Sequence, residues 1–185
     1  MSAATATQTS VTTWKIDPAH SAAEFKVRHM MISNAKGHFS KISGALTLDE
    51  SDLSQSSVEA TIDVSSIETR DLQRDAHLKS ADFFDAEKYP TMTFKSTRVK
   101  LGKGAEGEVE GDLTIRDITR KVVFAVEGPT APAKDPWGNM RVAVSATTRI
   151  SRKDFGLVYN AALETGGVLI GDEVTITLDV QFVGA

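Results

Sequence analysis

The stretch SSIETRDLQRDAHLKSADFFDAEKYPTMTFKS, Ser65–Ser96, decides how this chain is read. On both sides of it apolar and polar residues alternate with the period of a β-strand. Inside it the alternation stops. Arg70, Asp71, Arg74, Asp75, His77 and Lys79 crowd together, the pair Phe83-Phe84 follows, and Tyr89-Pro90 closes the segment. Leu72 and Ala76 stand at helical spacing among these charges, which predicts one short helix within Thr69–Ser80. A regular β-protein therefore carries one helical insert.

Working outward, Thr91–Leu101 returns to strand, with Met92 and Phe94 on one face. Glu108–Ile115 and Arg120–Glu127 form a predicted hairpin around Arg116–Thr119, and Gly102–Gly104 a turn. The proline-containing run Gly128–Gly138 reads as a loop. Met140–Ile150 and Val174–Phe182 alternate cleanly, and Ser151–Gly171 between them is irregular. On the N-terminal side, Ser57–Ile67, Gly37–Asp49 and His20–Met30 read as strands, and Trp14–Asp17 as a short one ended by Pro18. Gly44 predicts a bulge or bend. About eight strands, each with one apolar face and without βαβ alternation, predict an all-β sandwich or barrel. Pattern alone leaves these two open.

The 185 residues suit one domain, with 41% hydrophobic and 25% charged residues. Residues 1–12, small and polar, read as a disordered lead-in, and 13–185 as the domain. A net charge of -4 lacks the basic face of a nucleic-acid binder. The sequence contains no cysteine, so disulfides and thiol chemistry are absent. No apolar run approaches the roughly 20 residues of a bilayer span, so no stable membrane insertion is expected. The start lacks the features of a secretory signal, so a cytoplasmic location is expected.

Several stretches together resemble the YceI-like family. They are Asp17-Pro18-Ala19-His20-Ser21 with Phe25, Val27, Arg28-His29-Met30, Gly37 and Phe39; then Ser66-Ile67, Thr69, Arg74-Asp75, His77-Leu78, Ser80, Phe83-Phe84-Asp85, Tyr89-Pro90 and Phe94-Lys95-Ser96. Gly111–Ile115, Thr119-Arg120, Ser151–Leu157 and Ile170–Val174 follow in the family's order. The resemblance implies an eight-stranded antiparallel, lipocalin-like barrel enclosing an apolar cavity for a polyisoprenoid chain, such as that of an isoprenoid quinone. Many members of the family carry a secretion signal; this sequence is more similar to the signal-less ones.

Alternation places Phe25, Val27, Phe39, Ile62, Val64, Met92, Phe94, Leu113, Ile115, Phe124, Val142, Val144, Ile150, Ile176 and Val180 inward. Each is either packed core or cavity wall, because sequence does not count empty volume. On the cavity reading they are joined by His29, Met30, Leu78, Phe83, Phe84 and Phe155. Met30 and Met31 suit a rim, where thioether side chains adapt to a ligand. Leu72, Ala76 and Leu78 would close one end of the barrel, and Phe83-Phe84 would plug or gate it. Arg74, His77 and Arg152 are candidate head-group contacts, although short-range charges more often form local ion pairs. His20, His29, His38 and His77 fit no metal-ligand spacing, and His29 reads as a hydrogen-bonded core histidine. Asp17, His20 and Ser21 are the residue types of a triad, but neighbours on a strand point to opposite faces, and no G-x-S-x-G elbow occurs. The expected protein is a non-catalytic carrier or store of a long-chain isoprenoid or similar lipid, without metal or cofactor. A lipid-directed enzyme and a stress-related structural protein with a filled barrel are the alternatives. The assembly is left open, a homodimer included.

Overall fold

The computed structural model describes residues 11–184 apart from 103 and 105. Most of the expected lead-in, residues 1–10, and Lys103 of the expected turn lie outside the described residues.

The first three long strands of the wall are each bent in the middle. β1 (Val11–Ile16) and β2 (Ala22–His29) flank a single 3-10 turn, Pro18–His20. β3 (Ser33–Phe39) and β4 (Ile42–Asp49) are separated by Ser40-Lys41 alone, and β5 (Ser57–Asp63) and β6 (Ile67–Glu68) by the 3-10 turn Val64–Ser66. In each case the inward positions change parity. Trp14 and Ile16 give way to Ala23, Phe39 to Ile42, and Ile62 to Ile67. A strand has a period of two, so an odd step across a break turns the chain and keeps apolar side chains inside.

The remaining wall strands are β7 (Thr91–Leu101), β8 (Glu106–Ile115), β9 (Ile118–Glu127), β11 (Met140–Ser151) and β12 (Ile170–Gly184). The two-residue β10 (Ala133–Lys134) is an appendage on β11. All pairings are antiparallel. The order β11-β9-β8-β7-β5-β4-β1-β12 closes through β11–β12, which gives an eight-stranded barrel. β12 shares one edge between two partners: β2 pairs with Ile170–Asp179 and β1 with Phe182–Gly184.

Several boundaries differ from the sequence reading. β1 already includes Val11, ahead of the strand expected at Trp14–Asp17. The run Gly37–Asp49 is two strands, and the β8–β9 turn is tighter than expected, with only Arg116-Asp117 between the strands. Gly44 is not a bulge. It holds regular register opposite Ala60, and a Cβ there would lie 2.1 Å from the Glu59 carbonyl oxygen. Close approach of β5 is what requires glycine.

The insert holds α1 (Leu72–Lys79), capped by the Asp71 side chain on the Arg74 N–H. Its anchor is polar, contrary to the expected apolar stripe. Leu72 is 89% exposed and Ala76 is exposed, whereas Asp75 is buried. The Asp75 carboxylate accepts from the Thr69 N–H at 2.9 Å and from the Thr69 hydroxyl. Such charge-assisted bonds exceed neutral ones in strength, so one carboxylate fixes how the helix sits on the strand before it.

The β2–β3 connection is a tight turn closed by Ile32 N–H to the His29 carbonyl at 3.1 Å. Met30 (φ 50°) and Met31 (φ 64°) both occupy the left-handed region. That is the signature of a type I′ turn, which normally selects Asn-Gly. Each L side chain there costs about 1–2 kcal/mol.

Candidate ligand-binding site

The barrel is hollow because several inward positions carry almost no side chain. Ala35 lies opposite Val27, Gly37 opposite Phe25, and Ala60 opposite Phe94. A Cβ at Gly37 would stand 2.5 Å from the Phe25 ring, and one at Gly111 would stand 2.4 Å from the Phe94 ring. These glycines let both rings lie back against the wall. The space left is a cavity of ≈ 430 Å³, within the range of about 300–1,000 Å³ usual for small-molecule sites. It extends from Ser56 and Pro129 at one end to His77, Tyr159 and Leu169 at the other, and its lining is overwhelmingly apolar.

Of the residues singled out from sequence, Phe25, Val27, His29, Phe39, Ile62, Leu78, Phe83, Phe84, Met92, Phe94, Leu113, Ile115, Phe124, Val144, Ile150, Ile176 and Val180 lie on this lining. Phe94 and Phe124 meet edge-on at 5.2 Å, and Phe39 links Phe25 at 5.7 Å to Phe84 at 5.9 Å. Val142 and three others do not line it. Met30 is displaced to the tip of the turn, 42% exposed. Val64 and Phe155 are both 1% exposed, but each sits in a 3-10 turn that carries it off the inner face into solid packing. The sequence reading passed over Leu46, Leu48, Val58, Ala60, Val109 and Tyr159, all on the lining. The first five follow the alternation already visible in their strands. Tyr159 stands in an irregular loop with no periodic signal.

Polar groups gather at the α1 end. The His77 ring is edge-on to Phe83 at 5.1 Å and to Tyr159 at 4.8 Å, and its Nε2 lies 2.8 Å from Asp82 Oδ2. Arg74 reaches the same end, with Nε donating to Thr69 Oγ1 at 2.8 Å and Nη2 to the Thr69 carbonyl. Both therefore serve local structure while touching the cavity. Arg152 is more fully committed. Its buried guanidinium donates to the carbonyls of Leu157, Tyr159, Ile170 and Gly171 at 2.6–3.3 Å, tying down the loop between the 3-10 turn Arg152–Phe155 and β12. Burial pushes its pKa down, and Asp172 at 3.6 Å partly opposes that. It is a strut at the rim. His29 is half-buried on the lining and, among the described side-chain hydrogen bonds, its imidazole has none. The expected hydrogen-bonded core histidine is thus a cavity-facing one.

The other histidines lie apart. His20 Nδ1 is 2.9 Å from Asp17 Oδ2, and His38 Nε2 is 3.5 Å from Glu68. Ser21 Oγ donates to the Asp17 backbone carbonyl at 2.7 Å, so serine and histidine do not form the pair that a triad needs.

A closed antiparallel barrel with a hollow apolar interior and polar groups at one mouth defines the class of protein. The chain belongs to the YceI-like family, whose domain model matches residues 14–182. A UPF0312 protein of Staphylococcus aureus (strain N315) is 39% identical over 173 residues, covering 93% of this chain and 98% of that protein. Among solved structures, Burkholderia cenocepacia BcnA is 26% identical with a TM-score of 0.76, over 90% of this chain and 98% of that one. A polyisoprenoid binding domain from Saccharophagus degradans, implicated in plant cell wall breakdown, shares the fold at a TM-score of 0.67 and 14% identity, over 93% and 98% of the two chains.

Proposed function

We propose that this protein binds a long-chain polyisoprenoid, or a lipid of similar shape, and holds or carries it without chemical change. The observation that carries this reading is the cavity itself. Its ≈ 430 Å³ are walled by aliphatic and aromatic side chains along the barrel's length, with polar groups confined mainly to the α1 end. Burial of each CH₂ contributes about 0.8 kcal/mol, so a long chain binds such a wall without directional contacts. Methyl branches along an isoprenoid match the alternation of rings with Ala35, Gly37 and Ala60. The polar head belongs at the α1 end, near His77 and Tyr159. The solved polyisoprenoid binding domain of the same fold supports this ligand class.

Mass spectrometry of an organic extract from natively purified protein tests the reading. A stoichiometric polyprenyl species is expected. Protein that emerges empty, and then takes up no fluorescent polyprenyl analogue, overturns it. Turnover of that analogue, lost on His77→Ala, would overturn the non-catalytic part alone.

A further inference from the structure

We propose that the β2–β3 tip and the adjoining Val158–Val168 loop form a docking face for an anionic lipid bilayer, beside the cavity mouth. Met30, Met31 and Ile32 are 42%, 56% and 75% exposed, and Val158 and Val168 are 62% and 39% exposed. The two segments form one surface. The Met30 N–H donates to the Leu169 carbonyl at 2.8 Å, and Met31 Cγ lies 3.3 Å from where a Gly167 Cβ would stand. Leu169 and His29, the neighbours of this apolar tip, line the cavity.

Two local costs are accepted there. The turn holds consecutive methionines in the left-handed region, where Asn-Gly would fold with less strain. Lys26 lies directly opposite Lys36 across the hairpin, a like-charge pair that disfavours the pairing. Both costs yield the surface that an interfacial protein needs, apolar side chains at the tip with cations behind them. Among the described residues, Lys26, Arg28 and Lys36 are exposed and make no salt bridge; Arg28 donates to the Met31 carbonyl at 3.0 Å, and the two lysines are left available to lipid phosphates. The carboxylates near this face are Glu24, Glu164, Asp172 and Glu173. Asp172 is 3.0 Å from Lys153, and Glu173 is 3.9 Å from Arg149. Attraction is therefore local, against a net charge of -4.

This inference rests on the lipid-binding reading in one respect. Each methylene lowers the aqueous concentration of a chain roughly fourfold, so a long ligand is met in a bilayer rather than in water. Co-sedimentation of the full chain with phosphatidylcholine–phosphatidylglycerol vesicles, and with phosphatidylcholine alone, tests the docking face. The wild type should sediment with the mixed vesicles and be released by salt. The double variant Met30→Asn/Met31→Gly, whose residues suit the turn, should fold at least as stably and bind those vesicles roughly tenfold or more weakly. Lys26→Glu/Lys36→Glu should lose preference for the anionic lipid. The methionine variant, neither of whose altered residues lines the cavity, should take up a detergent-presented fluorescent geranylgeranyl analogue as the wild type does. Wild type that stays in the supernatant, or a Met30→Asn/Met31→Gly protein that sediments equally, overturns the proposal. Vesicle binding without uptake of the analogue would instead overturn the cavity reading and leave the docking face standing.

Discussion

Phe94 and Gly111 show how single residues set the shape of the interior. Phe94 faces the cavity against Phe124, and Gly111 leaves the space its ring occupies. Phe94→Asp places a carboxylate on an apolar wall and removes ring contacts, so a loss of roughly 3–5 kcal/mol is expected. A urea midpoint matching wild type, with polyprenyl uptake intact, would show that the ring does not face inward. Gly111→Ala acts in the opposite sense. The new methyl group would press on the ring and on the Lys95 carbonyl oxygen, 2.5 Å from its position. Overpacking of this kind costs about 1–3 kcal/mol, and a ring pushed inward narrows the cavity. Equilibrium unfolding together with a chain-length series of analogues reads both effects, with the longest analogue expected to lose most. The inward placement of Phe94 was legible from alternation alone. The emptiness beside it was not, because glycine on a strand signals a close approach without saying whether a ring or a backbone makes it.

Among elements, α1 and the bent strands are where pattern and structure part. The spacing of Leu72 and Ala76 indicated a helix correctly but gave it the wrong anchor. Its fixing point is the Asp75 carboxylate on Thr69, a contact between residues six apart across a cap, and periodicity does not report such contacts. Asp75→Ala would leave the buried Thr69 N–H unpaired at a cost of about 1–3 kcal/mol, and Asp75→Asn would retain an acceptor. Hydrogen exchange should show α1 amides losing protection in the alanine variant while β8 and β9 keep theirs. Equal protection in both variants would mean that other contacts hold the helix. The bends, by contrast, were legible in principle. The odd step from Phe39 to Ile42 breaks the alternation of a run first read as one strand, and the same parity change recurs across Pro18 and after Ile62. The mouth was less legible, since Tyr159 and Leu169 come from a loop whose course is dictated by the distant guanidinium of Arg152.

At the scale of the whole molecule, Arg141 clips the far end of the barrel together. Its guanidinium lies 2.6 Å from Asp17 and 2.8 Å from Asp135, joining the β1–β2 corner to β11 and the loop before it. Arg141, then His20, lowers the Asp17 pKa to about 2 from 3.8. Arg141, then Asn139, holds the Asp135 carboxyl well below the usual carboxylate range. Both groups have folded pKa values below their unfolded ones. Their stabilisation is present above about pH 4 and is lost as pH falls toward the folded values. Arg141→Gln should lower stability at neutral pH and flatten the acid limb below pH 4 in a denaturation series. An unchanged acid limb would place the pH dependence elsewhere. The closed wall also bears on how the chain comes to be folded. β12 is the shared neighbour of β1, β2 and β11, so residues 14–29, one edge of which pairs early with β4 or β3, complete their other edge only at residues 170–184. Such pairing of sequence-distant segments folds slowly. During synthesis the wall stays open until those last residues emerge, and the lining that later receives an apolar guest is bare to the cytosolic or extracytosolic milieu. Chaperone capture, or early loading with lipid, would have its greatest effect in that interval.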